Sequence, residues 1–237
     1  KANNEPLIWI QAINLKIDVG WFYGLFILLV LLSSSNAVNI TDGLDGLAGG
    51  LSFICFITFG IITYNTGWLE GYEAISIFCF VLSGAILGFL VFNVHPAKIF
   101  MGDTGSLFLG FTISVIALLG FKATTLTSLI IPLLILAIPI FDTVLAIFRR
   151  LLKGEKITSP DKEHFHHQLL KMKFGVRGTV LVIYAINILF AAVSIFFVLG
   201  DSKMAIGIYI VLMLLLLFLV MKTDILFEHK KKDKKKN

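Results

Sequence analysis

Seven long apolar stretches constrain the fold of this chain more than any other sequence feature. A helix needs about 20 predominantly apolar residues to cross the hydrocarbon core of a bilayer. Hydrophobic residues make up 57% of the 237 residues and only 15% are charged, whereas soluble domains are roughly 45–50% apolar. The apolar stretches are 21–38, 46–64, 74–92, 106–121, 127–148, 178–199 and 203–222. The sequence therefore predicts an all-α fold, a polytopic membrane helix bundle with about seven transmembrane helices.

Lysine and arginine residues are distributed unevenly between the two sides of this bundle. If the segments between spans alternate between sides, sixteen basic residues lie on one side and four on the other. Because a basic excess stays on the cytoplasmic side, we expect an external N-terminus and a cytoplasmic C-terminus. The net charge of +5 then reflects this topology and the anionic inner leaflet, and it requires no nucleic-acid partner.

The chain has no internal repeat and no low-complexity linker, so residues 1–237 are expected to form a single transmembrane domain. Two parts lie outside the spans on the cytoplasmic side: a histidine-containing loop at 149–177 and a basic tail at 223–237. The tail is most simply an orientation signal, with capture of anionic lipid as the alternative. Residues 1–20 contain no charge-rich presequence and no initiator methionine, so we expect the chain to be the C-terminal part of a longer protein.

The segment between the first two spans carries polar residues at every third position: Asn36, Asn39, Asp42 and Asp45. Charge at the edge of a membrane is costly and normally serves ion binding, substrate binding or chemistry. Capping of the next helix by one of the two aspartates is the alternative, but the asparagines in the same row favour the functional interpretation. Glycines here would let a ligand or another helix approach the backbone closely; they are Gly43, Gly46, Gly49 and Gly50.

A second polar segment, residues 93–106, lies between the third and fourth spans. It places Asp103 between two glycines just before the fourth span, where a carboxylate and exposed backbone N–H groups can hold a divalent cation that also grips phosphate. Helix capping by Asp103, Thr104 or Ser106 is the alternative. His95 precedes a proline, and we expect it to order the loop rather than to bind a ligand.

A third polar segment, residues 159–168, contains three histidines. If residues 163–173 are helical, His164 and His167 share one face and His166 points elsewhere. The three imidazoles then cannot chelate one metal, and the lack of a cysteine or further ligand also argues against zinc. An amphipathic helix in the headgroup layer, where histidines and lysines meet anionic groups, fits the segment better.

All three polar segments fall on the predicted cytoplasmic side, so they can converge on one site. Three spans also begin there, and helix N-termini contribute partial positive charge and free N–H groups. Acidic residues in the same place need a counter-cation if phosphates are to bind, and magnesium prefers oxygen ligands and substrate phosphates. The residues thus indicate a site for a phosphorylated ligand. The alternatives are a non-catalytic lipid-binding protein and a transporter, although a transporter would place polar groups near the bilayer midplane.

Four blocks of the sequence resemble, in order and spacing, those of the polyprenyl-phosphate N-acetylhexosamine-1-phosphate transferases. They are Asn36–Ala48, Asn93–Gly105, Pro139–Thr143 and the His-x-His-His motif of 164–167. The resemblance implies transfer of a sugar-1-phosphate from a UDP-sugar to undecaprenyl phosphate, with release of UMP, as the initiating step of cell-envelope polysaccharide synthesis. It implies Mg²⁺ as the cofactor, with Mn²⁺ as the alternative. The implied partners are the UDP-sugar, undecaprenyl phosphate and the lipid bilayer, and a homodimer is left open.

The resemblance also implies roles for individual residues. Asp103 would be the magnesium ligand, and Phe100 would stack on uracil. Two carboxylates would organise the nucleotide and metal region, and three histidines would contact the diphosphate or the sugar; this catalytic set is Asp42, Asp45, His164, His166 and His167. The remaining substrate-binding residues would be Asn39, Asn93 and Lys98, with Asn93 lining the uridine pocket.

One departure from the family pattern concerns an aspartate pair that members carry upstream of the first block and that is absent before Asn36. We therefore expect a fragment of a ten- or eleven-helix enzyme, with dependence on a second chain or loss of activity as the alternatives. Asp161-Lys162 before the histidine motif resembles the N-acetylglucosamine-1-phosphate transferases more than the phospho-N-acetylmuramoyl-pentapeptide transferase, which is the second reading of the function.

Overall fold

The structure is a computed structural model, and it describes residues 7–10, 15–18, 20–66, 71–123 and 174–222 together with positions 144, 147, 150, 169, 170 and 172. Within these residues, six helices follow a short β-hairpin. The helices are α1 (Phe22–Thr41), α2 (Leu47–Thr66), α3 (Tyr72–Asn93), α4 (Gly102–Ala123), α5 (Gly175–Leu199) and α6 (Ser202–Lys222).

Helices α1 to α5 are each long and apolar enough to cross a membrane, and α6 is apolar over Ser202–Phe218. These six helices correspond to six of the seven predicted spans. The remaining span, 127–148, lies almost entirely outside the described residues, so the number seven stays a prediction. The chain is a multi-pass membrane helix bundle, as its apolar stretches predict.

A two-stranded antiparallel sheet precedes the bundle, and the sequence analysis assigned no element there. Strand β1 (Leu7–Ile10) pairs with β2 (Leu15–Asp18), with Leu7 opposite Asp18 and Ile10 opposite Leu15. Two strands of four residues are too short to produce a membrane-length signal. The hairpin is therefore an addition to the predicted bundle.

Helix α2 is the central helix of the bundle. Of the residues in its most apolar 18-residue stretch, 78% are buried within the bundle, compared with 22% for α1 and for α3. It packs against α3, α4 and α5, while α1 packs on α4 and α6 packs on α5. Phe56, Phe59 and Ile62 of α2 are completely buried, together with Ile113 of α4. The exposed faces of the outer helices are apolar and suit contact with lipid.

Helices α1 and α4 lie in backbone contact because of a glycine. A Cβ atom added to Gly110 would lie 2.7 Å from the carbonyl oxygen of Ser34 and 2.7 Å from the Cα of Ser35. The Ser34 hydroxyl donates to the Gly110 carbonyl at 3.0 Å. Small residues at membrane helix interfaces permit this approach, and it brings the end of α1 beside the start of α4.

Most helix boundaries differ from the predicted spans by one to four residues, and two of these differences concern polar residues. Helix α1 continues to Thr41 instead of ending at 38, and α4 begins at Gly102 instead of 106. Asp103 was expected just before the fourth helix, but it lies in the first helical turn. The hydropathy criterion detects only apolar residues, whereas polar residues at these helix ends are stabilised by bonds across the bundle.

Candidate functional site

Five helix ends meet at one end of the bundle. The α1–α2 loop (residues 42–46) and the α3–α4 loop (residues 94–101) lie side by side there, joined by hydrogen bonds. The first turns of α5 bond to both loops. The first two polar segments of the sequence therefore converge, as predicted. The third, 159–168, lies outside the described residues.

Asp103 is held in place by Asn39. The Asn39 side-chain amide of α1 donates to Oδ1 of Asp103 at 3.1 Å and to the hydroxyl of Ser106 at 2.8 Å, both on α4. The Ser106 hydroxyl lies 3.0 Å from the carbonyl of Gly102 and donates to it. Close packing of α1 on α4 thus orients the predicted metal ligand through a neutral donor, and the carboxylate keeps its negative charge available.

Asp42 lies part-buried at the end of α1 and faces the charge of Asp103. Burial raises the pKa of the Asp42 carboxyl above its ordinary value, and the negative charge of Asp103 raises that pKa further. Ionised, the two carboxylates repel each other, and burial limits the solvation of the Asp42 charge. A cation between them would relieve this repulsion.

This pair fits a magnesium ion. No three carboxylate, imidazole or thiol groups form a metal cluster within the described parts of the chain. Magnesium does not need one, because it retains several waters and is usually held by one or two carboxylates together with substrate phosphates. Asp42 and Asp103 supply those carboxylates.

Asp45 has a different environment from Asp42, although only two residues separate them. Its Oδ2 lies 2.7 Å from Nδ1 of His95 and accepts a bond from the backbone N–H of Ala97 at 3.1 Å. The hydrogen bond from His95 lowers the pKa of the Asp45 carboxyl, and the Ala97 N–H lowers it further. This carboxylate bonds to the α3–α4 loop, so the predicted alternative of capping α2 does not describe it.

Gly46 connects three parts of the site. Its N–H donates to Oδ1 of Asn93 at 3.0 Å, and its carbonyl accepts a bond from the Tyr184 hydroxyl of α5. Nδ2 of Asn93 donates to the carbonyl of Ile99 at 2.9 Å. With 4% of its surface exposed, Asn93 uses both polar ends for the backbone of the two loops. Gly46 has a φ of +82°, a left-handed conformation that favours glycine.

An open cleft of about 250 Å³ lies between the two loops. The residues that line it are Asp42, Gly43, Leu44, Asp45, Asn93, Phe100 and Met101. Ligand pockets usually range from about 300 to 1,000 Å³, so the cleft suits part of a nucleotide-sized ligand. The Phe100 side chain is 76% exposed and offers a free ring face at its edge.

The predicted site residues separate into three groups in the structure. The residues brought together around the cleft are Asn39, Asp42, Asp45, Asn93, Phe100 and Asp103. Lys98 has an exposed side chain on the α3–α4 loop, where its backbone N–H donates to the carbonyl of Phe92 at 2.7 Å. The three histidines His164, His166 and His167 and the block Pro139–Thr143 lie outside the described residues. The chemical roles of all these residues stay predictions.

The first residue of the polar row at 36, 39, 42 and 45 does not join the others at the site. The Asn36 amide donates to the carbonyl of Leu32 in its own helix at 2.7 Å, whereas Asn39 reaches across to α4. A side chain three residues further along a helix points about 60° away from its predecessor. Asn36 therefore lies outside the cleft.

Two residues at the site were missed by the sequence analysis. Arg177, near the start of α5, donates through Nε to the carbonyl of His95 at 2.9 Å, and Tyr184 bonds to Gly46. Arg177 belongs to a basic stretch that gave no sign of a particular partner. A glycine did indicate the approach of Tyr184, since a Cβ on Gly50 would lie 1.9 Å from its hydroxyl. His95 orders the loop, as predicted.

Comparison with known proteins shows what this chain is similar to. Residues 5–121 match the family model described as Glycosyl transferase family 4. A probable undecaprenyl-phosphate N-acetylglucosaminyl 1-phosphate transferase of Bacillus subtilis (strain 168) is 42% identical over 202 residues, which are 85% of this chain and 55% of the relative.

Two further relatives are phospho-N-acetylmuramoyl-pentapeptide-transferases. That of Listeria welshimeri is 40% identical over 183 residues, covering 77% of this chain and 54% of the relative. That of Halalkalibacterium halodurans is 39% identical over 189 residues, covering 80% and 55%. The chain spans about half the length of the curated relatives it matches. These matches confirm the resemblance read from the motif blocks.

Proposed function

Because the chain is similar to the glycosyl transferase family 4 model and to curated transferases, we propose that the full-length protein transfers N-acetylglucosamine-1-phosphate from UDP-N-acetylglucosamine to undecaprenyl phosphate and releases UMP. The observation that carries this proposal is the pair Asp42 and Asp103, two carboxylates that repel each other beside an open cleft at the helix ends. Two anionic substrates can meet at such a site only if a cation offsets the total negative charge.

Mg²⁺ is the proposed cation, held by Asp103 and Asp42. When bound, it would supply charge neutralisation to the phosphate groups and polarise the phosphorus that is attacked. Asn39 keeps the Asp103 carboxylate oriented, and its neutral amide does not offset the negative charge of that carboxylate. The protein residues thus prepare a cation site whose remaining ligands come from water and substrate phosphate.

The nucleotide would occupy the cleft between the two loops. The exposed ring of Phe100 provides a surface for stacking of a base, and such stacking contributes about 1–3 kcal/mol. Asp45 lies at the same cleft, already fixed by His95 and Ala97. The histidines of 164–167 are proposed to complete the diphosphate contacts.

The acceptor would approach from the lipid. The cleft lies at the ends of membrane-length helices, so a phosphate headgroup at the bilayer surface can reach it while its prenyl chain stays among the apolar helix faces. The excess of lysine and arginine supports a location of this end of the bundle at the cytoplasmic face of the plasma membrane. UDP-sugars would then enter from the cytoplasm.

A second candidate is transfer of phospho-N-acetylmuramoyl-pentapeptide. It is supported by two relatives named for that activity. N-acetylglucosamine is preferred because the identity to the Bacillus subtilis relative extends over 202 residues and the histidine motif follows Asp161-Lys162. The two candidates differ only in the sugar portion of the donor.

The test is release of UMP by the purified full-length protein that contains this chain, supplied with undecaprenyl phosphate and either UDP-N-acetylglucosamine or UDP-N-acetylmuramoyl-pentapeptide. We expect turnover with the first donor and dependence on added Mg²⁺. Asp103→Asn should lower kcat by about 100-fold or more, because a catalytic metal contributes several kcal/mol of charge stabilisation.

Asp201→Asn is the matched control. Asp201 accepts bonds from the N–H groups of Lys203 and Met204 between α5 and α6, at the opposite end of the bundle from the cleft. Asparagine also caps helices well, so this variant removes one charge and should retain full activity. Wild-type activity in Asp103→Asn would reject the metal assignment, and turnover only with the muramoyl donor would select the second candidate.

A further inference from the structure

His95 occupies a junction that the proposed reaction does not by itself explain. Its imidazole Nδ1 lies 2.7 Å from Oδ2 of Asp45, and its carbonyl accepts a bond from Arg177 at 2.9 Å. The N–H of Ala97, two residues later, bonds to the same Asp45 oxygen at 3.1 Å. One short segment of the α3–α4 loop thus connects the cleft to the start of α5.

We propose that His95 is a positioning residue that fixes the Asp45 carboxylate at the edge of the cleft, with Arg177 fixing His95 in turn. The proposal rests on the proposed function for its kinetic consequences, since Asp45 is assigned there to the nucleotide region. The structural part of the proposal is that the His95 side chain holds the α1–α2 loop in position, and this part does not depend on the reaction.

The geometry separates this role from simple loop packing. Both bonds that Asp45 accepts go to Oδ2, and among the described residues none bonds to Oδ1. Asp45 also lines the cleft. One oxygen therefore anchors the side chain, and the other stays available to a donor group on a ligand. Loss of the His95 bond would leave the carboxylate present but held at Oδ2 by the Ala97 N–H alone.

The bond also defines the state of the imidazole. The ionised Asp45 carboxylate only accepts hydrogen bonds, so Nδ1 of His95 must carry the hydrogen. A side-chain amide can place a donor at nearly the same position as Nδ1, because the Asn Nδ2 atom lies the same number of bonds from the backbone. His95→Asn is therefore a conservative variant that keeps the donor, whereas His95→Ala removes it.

Arg177 completes the arrangement from α5. Its Nε donates to the backbone carbonyl of His95. Arg177 therefore fixes the position of the His95 backbone and leaves the imidazole nitrogens available for Asp45. The Arg177 side chain is otherwise exposed. Arg177→Lys lacks the planar fork of a guanidinium and should reproduce a weaker form of the His95→Ala effect.

The experiment uses the full-length protein and two measurements. The first is kcat and KM for UDP-N-acetylglucosamine in wild type, His95→Ala, His95→Asn and Asp45→Asn. The second is hydrogen–deuterium exchange of the backbone amides in residues 42–46. We expect His95→Ala to raise KM about tenfold with little change in kcat and to speed exchange about tenfold, since it removes a hydrogen bond to a charged group. His95→Asn should stay within about threefold of wild type in both measurements.

A double variant tests whether His95 acts through Asp45. If it does, Asp45→Asn with His95→Ala should have the KM of Asp45→Asn alone, because the effects of coupled residues are not additive. Additive effects, or unchanged KM and exchange in His95→Ala, would overturn the proposal. Equal impairment of His95→Asn and His95→Ala, with a lower melting temperature in both, would instead assign His95 a purely structural role.

Failure of the transferase proposal has a different outcome. If the wild-type protein releases no UMP from either donor, the proposed function is wrong and the kinetic arm has no signal. The exchange arm still decides the positioning claim, because protection of residues 42–46 by His95 and its recovery in His95→Asn need no turnover.

Discussion

The two sides of the cleft are built from similar residues and behave in opposite ways. On the side of α1 and α4, Asp42 and Asp103 face each other, and burial and repulsion raise the pKa of Asp42. On the side of the α3–α4 loop, Asp45 accepts two hydrogen bonds, and these lower its pKa. We call the first the acidic side and the second the paired side.

This difference indicates a structural role for the paired side and a binding role for the acidic side. The paired side satisfies its polar groups with the protein itself, so it forms a rigid frame. On the acidic side, no basic side chain of the described residues pairs with Asp42 or Asp103, so an added cation could bind there. Asp42 and Asp45 lie three positions apart on one loop, and their motif resemblance alone does not distinguish them.

The largest expected effect concerns the acidic side and the amide that orients Asp103. Asn39→Ala removes the donor to Asp103 and should raise the Mg²⁺ concentration for half-maximal UMP release about 10–100-fold, the usual cost of losing a partner of a metal ligand. The fold should persist, because α1 and α4 still pack through Gly110. The measurement is a magnesium titration of the full-length enzyme.

Asn36→Ala is the control for this variant. It removes a side-chain amide of the same kind one turn earlier on α1. The Asn36 amide donates to the carbonyl of Leu32 in its own helix. Its magnesium requirement should equal that of wild type. Equal shifts in the two variants would mean that Asn39 has no particular relation to Asp103, and the acidic side would lose its organising residue.

The second prediction concerns the helix contact on which the acidic side depends. Gly110→Ala would force a methyl group to within 2.7 Å of the α1 backbone and should destabilise the protein by about 1–3 kcal/mol, the typical cost of overpacking. The magnesium requirement should rise as well, because α1 and α4 must separate. The stability change is measured as the fraction of detergent-solubilised protein that remains monodisperse after heating to a series of temperatures.

Gly84→Ala is the matched control on α3, since a Cβ at that position meets nothing within 4 Å. Alanine also favours the helix by about 1 kcal/mol over glycine, so this variant should be as stable as wild type or slightly more stable. A stability loss in Gly84→Ala equal to that in Gly110→Ala would point to a general sensitivity of helix glycines, unrelated to the α1–α4 contact.

The smallest effect is an opposite pH dependence of the two aspartates. Asp45 has a lowered pKa, so its contribution to stability is present above the ordinary value of 3.8 and is lost as the pH falls through the lowered pKa. Asp42 has a raised pKa, so its ionisation opposes folding as the pH rises through that raised value, and the penalty is absent below 3.8.

Unfolding of the metal-free protein between pH 3 and pH 7 tests these signs. Asp45→Asn should be less stable than wild type at neutral pH, and Asp42→Asn should be more stable. Both differences should shrink towards acidic pH. If both variants shift in the same direction at neutral pH, the distinction between the two sides fails.

Much of the fold was predictable because it depends on local composition. Six of the seven predicted spans coincide with described helices, since apolar runs of membrane length have few alternatives to a helix. The β-hairpin at 7–18 was not predicted, because short strands lack such a signal. The predicted end of α1 was too early in the sequence and the predicted start of α4 was too late. Both errors arise because the polar residues there are stabilised by contacts between helices.

The order of the motif blocks in the sequence was enough to recognise the resemblance to the transferases that the comparisons also find. The alternation of the spans was enough to predict that the α1–α2 and α3–α4 loops lie at one end of the bundle. The rotation and depth at which α1, α4 and α5 pack are properties of the tertiary structure, and they determine which polar side chains meet. For that reason only the structure could show that Asn39 serves Asp103 while Asn36 does not, and that His95 and Arg177 hold Asp45. Among the described residues, the same packing gives Asp42 no such partner and makes it electrostatically different from Asp45.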